Sequence, residues 1–380
     1  MAGGLAVPRL DEHRRASPAR TPRARRARVR EALAGWVFVS PAVLLLIVFL
    51  IIPVGMAVWV SLTGWNGFGS PFSSAAPFVG GKNYASLFSG GGLVEQTFMT
   101  SIRNTLYYTI IVVPSQTALA LLLALFVNSR LLKGKGFFRT AFYFPSVTSS
   151  VAVSVIFLFI FTSGGAVNTA LRAIGINGPN WFNDPHGLLH IVLGDLHLVN
   201  LASPPALLAD HGLFTLSWWD WLSGPSVALC TVILLVVWTT SGTFMLMYLA
   251  ALQNLPSGVE EASLIDGAGP LQRLRYMTIP MLKSTTFLIV TLGLIGTWQV
   301  FDQVFIMTQG GPANTTLSPA YIAYTSGFDD HQWGPAAAMS FILFAIIIVF
   351  TLVQRWLMRD RDRVRRRSRV RRRARSAVGP

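Results

Sequence analysis

Charge is what this sequence has least of for its size. Only 12% of its 380 residues are charged, against 52% apolar, where an ordinary soluble domain carries roughly 25% charged residues. A water-soluble globule is therefore a poor reading, and a polytopic membrane protein is the expectation. Cysteine is almost missing too. Cys230 stands alone inside an apolar run, which excludes an intramolecular disulfide and makes it a small buried hydrophobe. The phosphate-cradling pattern G-x-x-x-x-G-K-[ST] is absent. Gly134-Lys135 is followed by Gly136, and Ser129 occupies the place of the first glycine, so by this route the chain is no ATPase on its own. There is also no Ser/His/Asp or paired-carboxylate arrangement on one recognisable scaffold. No catalytic residue and no cofactor is assigned, and an integral membrane enzyme has nothing to support it. His186 and His190 are four apart, a spacing that would place both on one helix face, but no cysteine and no third fixed ligand accompanies them, so no metal is assigned.

The charge that exists is unevenly placed. Lys and Arg number 31 against 16 acidic residues, a formal net charge of +15. Nine Arg precede residue 31 and twelve lie from Arg355 to Arg375, so the excess sits in two tails beside apolar segments. Such tails suit contact with anionic lipid, not nucleic acid. Residues 1–34, rich in Arg, Ala and Pro, are expected to be disordered cytoplasmic chain, and 359–380 a second basic tail. Arg14-Arg15 is separated by polar chain from a first apolar run too long for a cleaved signal, which reads as an uncleaved anchor.

Between the tails, residues 35–358 form the transmembrane domain. The expected fold is all-α: a membrane helical bundle with about six spans, at Gly35–Leu62, Asn104–Asn128, Ala141–Thr162, Pro225–Leu249, Ser284–Met307 and Ala336–Met358. The count is tested by the tendency of Lys and Arg to stay on the cytoplasmic side. Of the 31, only Lys82, Arg103 and Arg172 fall in the alternate loops. The expectation is a multi-pass plasma-membrane protein with both termini cytoplasmic and residues 63–101, 163–224 and 308–335 outside. Residues 184–223, with four His, read as an insertion in the second outside loop. Leu188 to Leu201 is apolar enough to lie on the membrane surface, and extra half-spans remain open.

One polar stretch organises the cytoplasmic side. It runs from Ser257 through Val259-Glu-Glu-Ala-Ser-Leu-Ile-Asp-Gly-Ala-Gly-Pro270 to Met277-Thr-Ile-Pro280. Ser257 followed by Glu260 predicts a capping box, with Glu260 and Glu261 in the first helical turn. Val259, Ala262 and Ile265 predict one apolar face, Gly267 and Gly269-Pro270 stop the helix, and Pro270 starts another. An ordinary cytoplasmic loop fits the composition as well; the spacing is what separates the two. Glu261-Ala262-Ser263, three residues, Gly267, nine residues, Met277-Thr278-Ile279-Pro280 resembles the EAA loop of membrane subunits in binding-protein-dependent ABC importers. Ser263, Met277 and Ile279 depart from it conservatively. Glu261-Ala262 with Asp266-Gly267-Ala268 is similar to the carbohydrate branch, the maltose-type and glycerol-phosphate-type permeases. So are Phe78 to Tyr84, Asn104-Thr105 and the turn Thr308-Gln-Gly-Gly-Pro-Ala-Asn-Thr315.

That resemblance implies that 257–280 is a coupling helix docking on an ATPase subunit, through Glu260, Glu261, Ala262, Asp266, Gly267, Ala268 and Pro280. It further implies a second permease subunit, two ATP-binding subunits, an extracytoplasmic solute-binding protein and a sugar substrate, with membrane lipids around. The expected role is a non-enzymatic transport subunit forming part of a carbohydrate pathway. The competing reading is a membrane anchor or receptor module with lipid-binding basic tails. Gln299, Asp302 and Gln303 fall at i, i+3 and i+4 on the fifth expected span, beside Trp298, Phe301 and Phe305. Asp302 is the one acidic residue placed inside an expected span, and Gln299, Asp302 and Gln303 with Trp298 and Phe301 are expected to face the substrate route. Gly293 and Gly296 are expected to serve close helix packing.

Overall fold

The computed structural model describes residues 22–89, 92–129, 131–197, 199 and 205–358, with the side chains of 22–29, Ser257 and Glu260 left out. Residues 1–21 of the basic tail expected at 1–34, and the tail expected at 359–380, lie outside the described residues. Residues up to Ala57 and those from Val58 form separate contact units.

The first unit is carried by helix α1 (Pro22–Leu46), a π turn at Ile47–Ile51, and the start of α2 (Ile52–Ser61). The helix begins inside the segment expected to be disordered. Pro22 is suited to a helix start, and the Ala, Arg, Glu and Leu that follow are strong helix formers ahead of an apolar run. The π turn sits just ahead of Pro53, whose ring and missing N–H disturb the regular ladder.

The second unit continues with α3 (Lys82–Ser89), α4 (Leu93–Asn128), α5 (Lys135–Val147), α6 (Ser150–Ile160) and α7 (Ala166–Ala173). The expected insertion holds α8 (Leu188–Asp195), α9 (Ala206–Ala209), a hairpin pairing β1 (Gly212–Leu213) with β2 (Leu216–Ser217), and α10 (Trp218–Trp221). Then come α11 (Val227–Gln253), α12 (Ser257–Ile265), α13 (Pro270–Arg273), α14 (Ile279–Met281) and α15 (Lys283–Trp298). The chain ends in α16 (Asp302–Met307), α17 (Pro319–Phe328) and α18 (Trp333–Leu357).

The fold is a helical membrane bundle. Among the described residues, four helical stretches are long and apolar enough to span, Arg30–Ser61, Leu93–Asn128, Val227–Gln253 and Trp333–Leu357, and two bent pairs bring the number to as many as six. The first bend falls inside the third expected span, Ala141–Thr162, and the second lies just ahead of the fifth, Ser284–Met307. α5 and α6 meet at 97°, and the stretch Pro270–Met281 meets α15 at 68°. At the first bend the sequence Ser146-Val-Thr-Ser-Ser150 supplies hydroxyls that compete for backbone partners: the Ser146 hydroxyl donates to the Thr239 carbonyl of α11 at 2.5 Å and accepts from the Thr243 N–H. The fifth span ends at Trp298, ahead of Asp302. α4 begins earlier than expected, so Glu95 is also buried in a long helix.

α4 and α11 form the centre. Toward the coupling stretch, Ala120, Ala124 and Val127 of α4 pack on Met245, Tyr248 and Leu252 of α11 with Leu282 and Ile289; the alanines at four-residue spacing let the helix axes approach. At mid-bundle, Tyr108 and Val112 meet Val232 and Val236, with Phe157 of α6 and Val304 of α16. At the opposite end Leu87, Phe98, Leu216, Leu317 and Met339 close the core. The segments of the family resemblance are anchored there. Asn83 donates to the Ser61 and Thr63 carbonyls at 2.8 and 2.9 Å, Tyr84 donates to the Ser61 hydroxyl, and Asn104 donates at 2.8 Å to the Asn314 carbonyl in the Gly-Gly-Pro turn.

Candidate functional site: a polar cavity at a helix break, and a coupling stretch

The break between α15 and α16 makes the first site. Gln299, Val300 and Phe301 leave the helix, and the Val300 carbonyl is satisfied instead by the Ser318 hydroxyl at 2.7 Å. Asp302 then opens α16, exposed in its first turn, where the helix dipole favours a carboxylate. The expected single helical face is therefore wrong, yet four of the five expected residues still converge. Gln299, Phe301, Asp302 and Gln303 line a cavity of about 320 Å³ bounded by α4, α11, α15 and α16. Trp298 does not line it: its ring is 1% exposed and packs 5.1 Å from Phe350 of α18. The break is what separates it from the others, because residues on either side no longer share one helical phase.

The cavity has walls that sequence spacing did not single out. Gln116 of α4 is buried, accepts from the Thr240 hydroxyl at 2.7 Å, and has no partner for its amide nitrogen among the described residues. Gly293 makes this possible, since a Cβ there would stand 2.3 Å from that nitrogen. So Gly293 does serve close helix approach, whereas a Cβ at Gly296 would meet nothing within 4 Å, and Gly296 lines the cavity. Gln303 donates to the Ser150 hydroxyl at 2.9 Å, joining the two helix breaks. A second cavity of about 270 Å³, lined by Ser146, Thr148, Ser150, Thr239 and Thr243, shares Thr240, Phe244 and Gln303 with the first. Phe301 continues into stacked rings, Phe305 at 5.4 Å and Tyr324 at 5.2 Å. The only sequence signal for Gln116 was an amide inside an apolar run, which takes on meaning once α11 and α15 are placed beside it.

The second site is the polar stretch after α11. α12 begins one residue earlier than a Ser257 cap requires, with Pro256 in the cap position, so the expected capping box is replaced and Glu261 falls beyond the first turn. Its C-terminus follows the expectation. Gly267 has φ +72°, its N–H donates to the Leu264 carbonyl and that of Ala268 to the Ser263 carbonyl, the paired bonds of a left-handed glycine cap. Pro270 opens α13, and a π turn at Leu274–Thr278 precedes Pro280. The expected apolar face divides: Val259 and Ser263 turn to the bundle, lining a cavity of about 360 Å³ with the ends of α4 and α11. Ile265, 86% exposed, and Leu264, Leu271 and Tyr276 point away with Glu261 and Asp266. Apolar side chains are thus held outward beside carboxylates.

The histidines of the insertion do not form a ligand set. α8 starts at Leu188, so His186 stands outside it, 2.8 Å from Asp184, while His190 stacks on Trp219 at 4.0 Å. Burial pushes the His190 pKa below its ordinary value. No group of three His, Cys, Asp or Glu is placed to hold a metal among the described residues.

Residues 85–363 match the model of the family described as binding-protein-dependent transport system inner membrane component. The lactose transport system permease protein LacF of Rhizobium radiobacter is 31% identical over 86% of this chain and 94% of its own length. The trehalose/maltose transport system permease protein MalF of Thermococcus litoralis is 28% identical over 85% of this chain and 93% of its own. In fold the chain is similar to a chain of a bacterial ABC transporter involved in import of the acidic polysaccharide alginate, with a TM-score of 0.65, 19% identity, and coverage of 88% of this chain and 97% of that one. With its membrane bundle, helix-break cavity and glycine-capped polar stretch, the chain belongs to the family of binding-protein-dependent transport system inner membrane components.

Proposed function

We propose that this permease subunit forms part of the membrane pathway for a sugar or oligosaccharide, driven by ATP hydrolysis in partner subunits. The observation that carries the reading is the cavity at the α15–α16 break. Sugars present hydroxyls that need donors and acceptors, and ring faces that suit aromatic side chains. Gln116, Thr240, Gln299 and Gln303 offer the first and Phe301 the second, around a volume of about 320 Å³. The printed names of relatives support the substrate class: lactose, trehalose and maltose, and the arabinooligosaccharides of the permease AraP from Bacillus subtilis. The coupling stretch, through Glu261, Asp266, Gly267 and the outward Ile265, is the docking surface for an ATP-binding subunit. A second permease subunit would complete the pathway, with two ATP-binding subunits below. A solute-binding protein delivers the sugar, as the alginate transporter crystallised with its substrate-loaded periplasmic protein suggests.

The test fills the cavity without disturbing the packing. A Cβ at Gly296 meets open space, so Gly296→Phe should leave membrane insertion and complex assembly unchanged while uptake of labelled carbohydrate falls to background. Uptake at the wild-type rate would remove the cavity from the pathway. Orientation follows from the Lys and Arg asymmetry: in a Cys230→Ala background, Ile265→Cys should react only with reagents supplied from the cytoplasm and Asp210→Cys only from outside. The reverse pattern would invert the topology.

A further inference from the structure

The expected insertion folds inside out for a domain standing in water. On α8 and its C-terminal cap the exposed side chains are Asp195, at the helix end, and four apolar ones, Leu188, Leu189, Val192 and Leu196. At 100° per residue these four lie within one arc of about 100°. His190 lies on the opposite arc, turned inward and stacked on Trp219. Water would select the reverse: leucines against the module and the imidazole outward.

The position of α8 says what covers this face. The Leu188 N–H donates to the Pro225 carbonyl at 2.9 Å, the Val227 N–H donates to the His186 carbonyl, and Gly187 bridges to Ser226. Ser226 is the N-cap of α11, its hydroxyl accepting from the Leu229 N–H. α8 thus starts level with the first residue of a membrane-spanning helix, at the bundle end opposite the coupling stretch. At eight residues it rises about 12 Å, far short of the roughly 30 Å hydrocarbon core, so it cannot cross the membrane. Trp218, Trp219 and Trp221 lie at the same end, and the module is held to α4 by Arg103, which donates to the Asp220 carbonyl at 3.3 Å, and by Tyr107, which donates to the Trp221 carbonyl. Tryptophan at the end of a span is the composition of the membrane–water boundary. The exposed leucine face itself disfavours a partner that docks and departs. Such a partner would leave the leucine face in water between encounters.

We propose that the insertion is a monotopic membrane element: the face of Leu188, Leu189, Val192 and Leu196 is seated in the lipid at the acyl–headgroup boundary, and the module clamps the outer ends of α4 and α11 to that plane. This rests on α11 being a span, and not on the identity of the substrate.

The test uses the full chain in its assembled importer, in lipid nanodiscs, in a Cys230→Ala background. A nitroxide is attached through Val192→Cys and, as reference, through Asp210→Cys, exposed at the end of α9. Collision rates are read against oxygen, which concentrates in lipid, and against a water-soluble nickel chelate. The label at Val192 should favour oxygen over the chelate severalfold, with that preference reversed at Asp210. A Val192 label as open to the chelate as the one at Asp210 would put the face in water. A label shielded from both quenchers would show that protein covers it. Either result overturns the proposal.

Discussion

Gly267→Phe should insert and fold, yet leave ATP hydrolysis and transport uncoupled. Gly267 sits at φ +72° with nothing within 4 Å of a Cβ built on it. Within this chain the substitution therefore costs only the left-handed conformation, roughly 1–2 kcal/mol. That is small beside the stability of a bundle whose core runs the length of α4 and α11, so the expected loss of function must come from outside the chain. A phenyl ring projecting beside Leu264 and Ile265 would hold a partner off the outward surface. Gly267→Asn is the control, because asparagine tolerates the left-handed region with a far smaller side chain. The measurement is co-purification of the ATP-binding subunits together with substrate-stimulated hydrolysis. Wild-type behaviour in Gly267→Asn and loss in Gly267→Phe support docking. Wild-type behaviour in both would mean that Gly267 only ends a helix. Ile265→Asp should reproduce the loss, as it replaces an exposed apolar contact with charge and leaves folding unaltered.

The second large effect separates two residues that the sequence places side by side. Asp302→Asn should reduce uptake with the complex intact, since Asp302 faces the cavity and is exposed. Trp298→Ala should fail earlier. Trp298 is buried against Phe350, and deleting a buried indole costs about 3–5 kcal/mol, so the expected result is reduced yield and lower thermal stability in detergent. Uptake lost per folded Asp302→Asn complex, and uptake retained by the folded fraction of Trp298→Ala, would match these positions. A Trp298→Ala protein of normal stability with abolished uptake would return Trp298 to the pathway.

That contrast shows which parts of the molecule local sequence could describe. The polar stretch 257–280 was legible because its geometry is local: Gly267, separated from Met277 by nine residues, stops α12 through bonds that reach no farther than Ser263 and Leu264. The spans were legible from apolar length. The break at Gln299–Phe301 was not, because no Pro or Gly marks it. It is held by the hydroxyl of Ser318, eighteen residues on, and by packing of Val300 and Val304 on the central core. Gln116 became a site residue only through Thr240 and Gly293, which α11 and α15 bring beside it. The insertion was illegible for the same reason: His190 and Trp219, or Arg103 and Asp220, meet across distances no periodicity records.

The central claim is that this chain moves carbohydrate through the membrane at the expense of ATP hydrolysed by its partners. Its most direct test is uptake of labelled di- and oligosaccharides into proteoliposomes holding the assembled importer, with the solute-binding protein outside and ATP either inside or withheld. The account predicts accumulation only with internal ATP, and none when the chain carries Gly267→Phe. Accumulation that is independent of ATP, or absence of uptake for every carbohydrate that the binding protein retains, would contradict it.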